Sequence, residues 1–113
     1  RLVGKPLSIF LTKKGFTHIT IAQKKTKNLA ALIVESTIII SATGKPNLIR
    51  KVRNGAVIID AGSGLWQGKI TGDVDLECVR ANAKIVTPVP GGVGPLTVLY
   101  LFKNLLSAAS RNL

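Results

Sequence analysis

Residues 87–98 constrain the fold more than any other segment, because they hold three prolines and three glycines within eight positions. The segment lies between an apolar strand-like run and a long apolar helix-like run. Proline fixes φ and removes an amide donor, whereas glycine lets the backbone bend sharply or approach a ligand closely. Pro95 is suited to the first position of the helix that follows. Two interpretations are open at this point: a stiff strand-to-helix turn, or a small-molecule site built from main chain.

The composition indicates one α/β core. The 113 residues are 46% hydrophobic but only 4% aromatic, which suits buried parallel strands between helices. The single cysteine, Cys78, cannot form an internal disulfide and has no neighbours that would complete a metal site. This predicts an unreactive thiol in a reducing compartment. No apolar run is long enough to span a bilayer, so we expect no membrane association.

Strand-like and helix-like segments alternate along the chain. Periodicity predicts helices over residues 6–14, 26–36, 75–81 and from 94 to about 110, strands over 16–23, 37–42, 56–60 and 84–87, and an extended piece at 68–71. Such alternation predicts an α/β fold with a parallel sheet, in which ligands bind beyond the carboxyl ends of the strands. The loops expected there are residues 23–27, 43–46, 62–64 and 88–95. Their convergence favours the ligand-site interpretation of the proline-glycine segment.

The last predicted helix is apolar around most of its circumference. One sheet can cover only one side of a helix, and a helix that is apolar all round has to be buried on several sides. We therefore expect part of its surface to pack against another domain or subunit.

The net charge of +11 is unevenly distributed, since eleven of the sixteen basic residues lie in positions 1–53 with Glu35 as the one acid. Such a surface can attract nucleic acid or a phosphorylated ligand, or it can simply be solvated. Phe10 and Phe16 are the only aromatic residues in this half, which disfavours a nucleic-acid-binding module.

The predicted strand over residues 16–23 is followed by Lys24, Lys25 and Lys27, with no acidic residue. Nicotinamide dinucleotide sites place an acid near this point when they hold the ribose hydroxyls of NAD, and a basic group when they accept the 2′-phosphate of NADP. The pattern thus favours NADP over NAD. No nucleophile triad or metal-ligand set is evident, and His18, the single histidine, is interpreted as structural.

Several motifs, in this order, resemble one enzyme family over nearly the whole chain. They are Val3-Gly4-Lys5-Pro6, Lys25-Thr26-Lys27-Asn28-Leu29, Gly44-Lys45-Pro46, Ile59-Asp60-Ala61-Gly62, Gly72-Asp73-Val74-Asp75 and, most specifically, Pro90-Gly91-Gly92-Val93-Gly94-Pro95-Leu96-Thr97. The family is the bifunctional methylenetetrahydrofolate dehydrogenase/methenyltetrahydrofolate cyclohydrolases.

The resemblance implies a Rossmann-like, three-layer domain that forms the C-terminal part of a two-domain enzyme. Such enzymes oxidise 5,10-methylenetetrahydrofolate with NADP and hydrolyse the methenyl product to 10-formyltetrahydrofolate. The implied cofactor-binding residues are Lys24 at the 2′-phosphate, Thr43 and Gly44 along the cofactor, Ser63 beside the nicotinamide, and Thr97. The implied folate-binding residues are Pro90, Gly91, Gly92, Val93, Gly94, Pro95, Leu96, Thr97 and Val98.

The sequence also departs from the family pattern. Ser63-Gly64 stands where Ile-Asn is usual, and Ala22-Gln23-Lys24 stands where Cys-His-Ser is common. The family's Gly-Arg-Ser phosphate motif, its central first strand and its N-terminal domain, which carries the catalytic lysine and tyrosine, would all precede Arg1. We therefore expect no catalytic residue in these 113 residues. We also expect the chain by itself to be marginally stable and inactive, because strands that lose a neighbour leave ladder groups unpaired.

The resemblance predicts that the complete protein is a homodimer and lies in the cytoplasm or in a mitochondrion. Two other functions stay open. One is a non-catalytic family fragment that serves as a binding or assembly module, and the other is the basic nucleic-acid-binding module considered above.

Overall fold

The computed structural model describes residues 4–23 and 25–111. Two helices are followed by four strands, and a helix, a strand and a last helix complete this part of the chain. The helices are α1 (Gly4–Lys13), α2 (Leu29–Glu35), α3 (Leu76–Val79) and α4 (Val93–Arg111), and the strands are β1 (Ile38–Ser41), β2 (Val57–Asp60), β3 (Gly64–Trp66), β4 (Lys69–Thr71) and β5 (Ile85–Val86).

A three-stranded parallel sheet in the order β1-β2-β5 forms the centre of the described fold. Ile38 pairs with Val57 and Ser41 with Asp60, so β1 and β2 end at the same level. The strands are rich in β-branched residues, which suit a buried pleated surface. The predicted α/β fold with a parallel sheet is confirmed.

The core is a small aliphatic cluster around the sheet. Its buried members are Ile39, Ile49, Val52, Ala56, Ile58, Val74 and Val79. Ile33 of α2 and Val86 of β5 pack against this cluster while remaining partly exposed. An isolated parallel bridge between Ile49 and Val74 brings the segment before α3 to the same core. This bridge positions the acidic residues of that segment beneath the ends of β1 and β2.

The strand predicted over residues 16–23 does not form in the described part of this segment. A strand exists only when its backbone groups pair with a neighbour, and no described segment pairs with these residues. β1 is consequently one of the two outer strands of the described sheet, and Ile38 on it is 55% exposed. Alternation around Ile19 and Ile21 indicated extended backbone but could not supply a partner.

A β-hairpin replaces the predicted isolated extended piece. Its β4 strand matches the prediction over residues 68–71, but β3 and the pairing of Leu65 with Ile70 were not predicted. Gln67 and Gly68 connect the strands with φ of 51° and 77°. A two-residue hairpin turn favours such positive φ values, and Gln-Gly is a weaker signal for it than Asn-Gly.

Local chemistry explains where three of the helices begin or end. Gly15, with φ of 98°, lies just past α1, as a C-terminal cap requires. α4 begins at Val93, so Pro95 is its third residue and not its first as predicted. Pro95 remains within the first turn, where the missing amide has no intrahelical acceptor. α2 is shorter than predicted because Asn28, at φ 59°, is not helical.

α4 exposes apolar side chains between Leu96 and Leu106. Those of Leu96, Leu99, Tyr100, Leu101, Leu105 and Leu106 are exposed. The expectation that part of this helix packs against another domain or subunit stays a prediction. In the described part of the chain, no helix is long and apolar enough to cross a membrane.

Candidate functional site

The loops that follow β1 and β2 pack directly on each other. A Cβ atom at Gly64 would lie 2.7 Å from the carbonyl oxygen of Gly44 and 3.0 Å from the ring of Pro46. A Cβ at Gly44 would lie 3.5 Å from the carbonyl oxygen of Ser63. Glycine at position 64 therefore allows backbone-to-backbone contact that a side chain would prevent.

The proline-glycine loop after β5 is fixed to the same end of the sheet. The Asp60 amide donates to the Thr87 hydroxyl at 2.8 Å, and the Thr87 amide donates to the Ile58 carbonyl at 3.1 Å. The loop then turns through a cis Val89–Pro90 peptide. A Cβ at Gly92 would collide with the Pro88 carbonyl oxygen, so this turn needs glycine.

The structure brings together three of the four loops that were predicted to converge. Thr43 and Ser63, both exposed, lie in the two contacting loops, and Gly44, which follows Thr43, lies close to the Ser63 carbonyl. The described hydrogen bonds of the fourth loop, between Gln23 and Thr26, lie within that loop. Lys24 lies outside the described residues.

The predicted folate-binding residues divide between the loop and α4. Pro90 and Gly91 are exposed loop residues, Gly92 is partly buried, and Val93 begins the helix. Gly94, Pro95, Leu96 and Thr97 form the exposed first turns of α4. Thr97 donates its hydroxyl to the Val93 carbonyl at 3.1 Å. Val98 is part of α4, and its side chain lies outside the described ones.

Asp60 lies beneath these loops as a buried acceptor at the end of β2. It is 2% exposed. Its Oδ1 accepts from the amides of Gly62 at 2.9 Å and Asp73 at 3.1 Å, and its Oδ2 accepts from the Val74 amide at 3.0 Å. The side chain thus caps the turn after β2 and joins it to the segment before α3.

Asp73 is a second buried carboxylate, and sequence reasoning did not single it out. It is 0% exposed, and its Oδ2 accepts from the Ser41 hydroxyl at 2.5 Å and from the Thr43 amide at 2.7 Å. Its Oδ1 has no hydrogen-bond partner among the described atoms. A Cβ built at Gly62 would collide with this carboxylate. The motif Gly72-Asp73-Val74-Asp75 was the available sequence signal.

The arrangement is suited to holding a ligand and offers little for acid–base chemistry. Lys45 is the one ionisable side chain in residues 42–46, 61–64 and 87–92. Cys78 is exposed, and a hydrogen bond with the Asp75 side chain raises the pKa of its thiol, away from the reactive thiolate. The described residues contain no cluster of metal ligands. The main features are exposed hydroxyls and open backbone at the carboxyl ends of parallel strands.

A parallel α/β sheet with such a backbone-lined edge defines a Rossmann-like nucleotide-cofactor domain. The family model described as tetrahydrofolate dehydrogenase/cyclohydrolase, NAD(P)-binding domain, matches residues 1–113. The chain belongs to this family, and the resemblance found in the sequence is confirmed.

Proteins similar to this chain are longer than it is. "Bifunctional protein FolD" of Sulfurihydrogenibium sp. is 46% identical over 114 residues, which cover 99% of this chain and 40% of the relative. The structure titled bifunctional enzyme FolD-methylenetetrahydrofolate dehydrogenase/cyclohydrolase, from Campylobacter jejuni, has a TM-score of 0.89 and 39% identity, over 97% of this chain and 40% of the other. The Trypanosoma brucei enzyme, complexed with NADP cofactor and inhibitor, has a TM-score of 0.84 and 35% identity, over 95% and 39%. The chain thus spans about two-fifths of their length.

Proposed function

We propose that this chain is the NADP-binding part of an enzyme that oxidises 5,10-methylenetetrahydrofolate and hydrolyses the methenyl product to 10-formyltetrahydrofolate. The observation that carries the proposal is the convergence of three loops at one sheet edge, with exposed Thr43 and Ser63 in two loops that contact each other. The family match over the whole chain supports the same cofactor class. The NADP reported in the Trypanosoma brucei relative favours this cofactor over NAD.

The residues at this edge fit a nicotinamide dinucleotide. Their hydroxyls and backbone groups can hydrogen-bond to ribose and carboxamide groups, and Gly44 and Gly64 let the two loops that carry them pack closely together. In this proposal Thr43, Gly44, Ser63 and Thr97 line the cofactor, while Lys24 faces its 2′-phosphate. NADP would supply the hydride acceptor, and the chain would hold the nicotinamide in position against the folate.

The proline-glycine segment, residues 90–98, is proposed as the folate side of this cleft. Its start is anchored by Thr87 to β2, so the segment begins at a fixed distance from the cofactor loops. Acid–base groups would come from a second domain, with a lysine and a tyrosine, that packs on the exposed apolar side chains of α4. Among these are Leu99, Leu101 and Leu105. In the proposal, residues 1–113 therefore belong to one domain of a larger enzyme and supply only part of its active site.

Replacing Lys24 tests the cofactor assignment. Lys24→Glu should raise the Kd for NADP about tenfold or more, or about 1.4 kcal/mol, and leave the Kd for NAD unchanged. The reason is that a 2′-phosphate would lose a cation and meet a carboxylate. The measurement is calorimetric titration of the Campylobacter jejuni enzyme with its matched region replaced by this chain, hereafter the fusion protein.

Lys51→Glu is the matched control, because it changes the net charge equally but lies before β2, at the opposite end of the sheet. It should leave both dissociation constants unchanged. An NADP affinity that is the same in Lys24→Glu and in the parent would show that Lys24 does not contact the 2′-phosphate. Failure of the parent to bind NADP would contradict the proposed function itself.

We also propose that the complete protein is a homodimer and that the hairpin is its contact surface. Leu65, which is 74% exposed, and Ile70 form an apolar cross-strand pair on β3 and β4. Isolated two-stranded hairpins are marginal in water, and a second copy would cover this face. Because Cys78 is the single cysteine of the chain, we place the protein in a reducing compartment, either the cytoplasm or a mitochondrion.

Leu65→Asp should weaken such a dimer about tenfold or more, because a two-fold interface would bring the introduced carboxylates of both copies together. Gln67→Asn, in the exposed turn of the same hairpin, should leave dimerisation unchanged. Sedimentation velocity of the fusion protein measures both. An unaltered dimer with Leu65→Asp would show that the contact lies elsewhere.

A further inference from the structure

Asp73 connects the two loops to which the cofactor is assigned, yet it cannot touch a ligand itself. It belongs to the segment between β4 and α3 and is completely buried. Its Oδ2 takes one hydrogen bond from the last residue of β1, Ser41, and another from the backbone of Thr43. Both donors precede Gly44, so this oxygen sets the direction in which the backbone leaves the sheet.

The same carboxylate also contacts the loop after β2. Gly62 has no side chain, and the Asp73 carboxylate occupies the space that a side chain there would need. The next residue is Ser63, whose carbonyl lies close to Gly44. Asp73 therefore lies between the two loops and holds one by hydrogen bonds and the other by packing.

The backbone of Asp73 is itself held in place. Its amide donates to Asp60 Oδ1 at 3.1 Å, and the next amide, that of Val74, donates to Oδ2 at 3.0 Å. The ion pairs described for this chain involve Asp75 and Glu77, so neither buried carboxylate has a described cationic partner. A buried carboxylate held mainly by backbone amides is a rigid reference point for the groups that it binds.

We propose that Asp73 is a positioning residue for the cofactor, because it fixes Thr43 and Gly44 relative to Ser63. The inference rests on the proposed function, since these residues are the assigned cofactor contacts. It assigns Asp73 no proton transfer and no contact with the cofactor. What matters is the pair of hydrogen bonds that one oxygen accepts.

Two substitutions in the fusion protein separate this role from plain stability. Asp73→Ala removes the acceptor and should raise the Kd and the KM for NADP about tenfold or more, with kcat at saturating NADP changed less than about threefold. Asp73→Asn should restore NADP affinity to within about threefold, because its amide oxygen can accept from both Ser41 and Thr43. Its NH2 group would replace the oxygen that has no partner.

Asp75→Ala is the matched control. Asp75 caps the N-terminus of α3 by accepting from the Cys78 amide, two residues from Asp73 in the same acidic run. Its loss should lower the unfolding midpoint and leave the NADP affinity unchanged. If Asp73→Ala lowers only the midpoint in the same way, or if Asp73→Asn binds NADP as poorly as Asp73→Ala, the positioning role is wrong.

Ser41→Ala keeps the proposal testable should Asp73→Ala fail to fold. It deletes one of the two hydrogen bonds and should raise the Kd for NADP about threefold, and an unchanged Kd would overturn the inference. The unsubstituted fusion protein separates the two levels of the proposal. If it does not bind NADP, the proposed function fails. If it binds NADP but the Asp73 variants match it, only the positioning role fails.

Discussion

Asp60→Ala is expected to remove at least about 3 kcal/mol from the free energy of unfolding, because three buried amides lose their acceptor at once. Those amides belong to Gly62, Asp73 and Val74. The free energy of unfolding of a small domain is about 5–15 kcal/mol in total, so this loss is a large share of it. Urea unfolding of the fusion protein, followed by circular dichroism, measures it.

Two further variants define the cause. Asp60→Asn retains an amide oxygen that can accept from Gly62 and Asp73. Its free energy of unfolding should therefore lie between those of the parent and Asp60→Ala. Asp75→Ala removes a helix cap and should cost about 1 kcal/mol. If Asp60→Ala costs no more than Asp75→Ala, the amides around Asp60 have other acceptors and the buried carboxylate is not a structural centre.

The central sheet was predictable because its signal is local. Runs of β-branched residues at 38–41 and 57–60 indicate buried strands whatever lies around them. The strand expected over residues 16–23 shows the limit of such a signal. Its alternation describes a face, whereas pairing depends on a neighbour that the pattern does not specify. The hairpin was missed for a related reason, since its turn residues, Gln67 and Gly68, carry a weak local preference.

The site divides in the same way. The alternation of strands and helices predicts that the loops with Thr43, Gly44 and Ser63 lie at one edge, since parallel strands all end there. The binding role of each residue came from the family resemblance and remains a prediction. Asp73 could not be found from spacing, because its partner Ser41 lies 32 residues away. Only the fold brings that hydroxyl, the carboxylate and Gly62 together.

The 113-residue chain alone should show no dehydrogenase or cyclohydrolase turnover, whereas the fusion protein should approach the rate of the Campylobacter jejuni enzyme to within about tenfold. The reason is chemical. The three converging loops carry one ionisable side chain, Lys45, and no carboxylate, imidazole or phenol faces the assigned cofactor residues from them. General acid–base groups typically supply about 10²–10⁴-fold of a rate, and here they would have to come from the second domain.

NADPH absorbance measures the dehydrogenase, and loss of the methenyl absorbance measures the cyclohydrolase. The control is the Campylobacter jejuni enzyme from which the matched region has been removed and not replaced. It should be inactive as well, because it lacks the cofactor loops. Turnover by the chain alone would mean that acid–base groups within these 113 residues have been overlooked. A fusion protein that binds NADP tightly but turns over neither substrate would favour the alternative of a non-catalytic binding module. Ser63-Gly64, where the family usually has Ile-Asn, would then be the first position to exchange, because it is the one departure located in the two contacting cofactor loops.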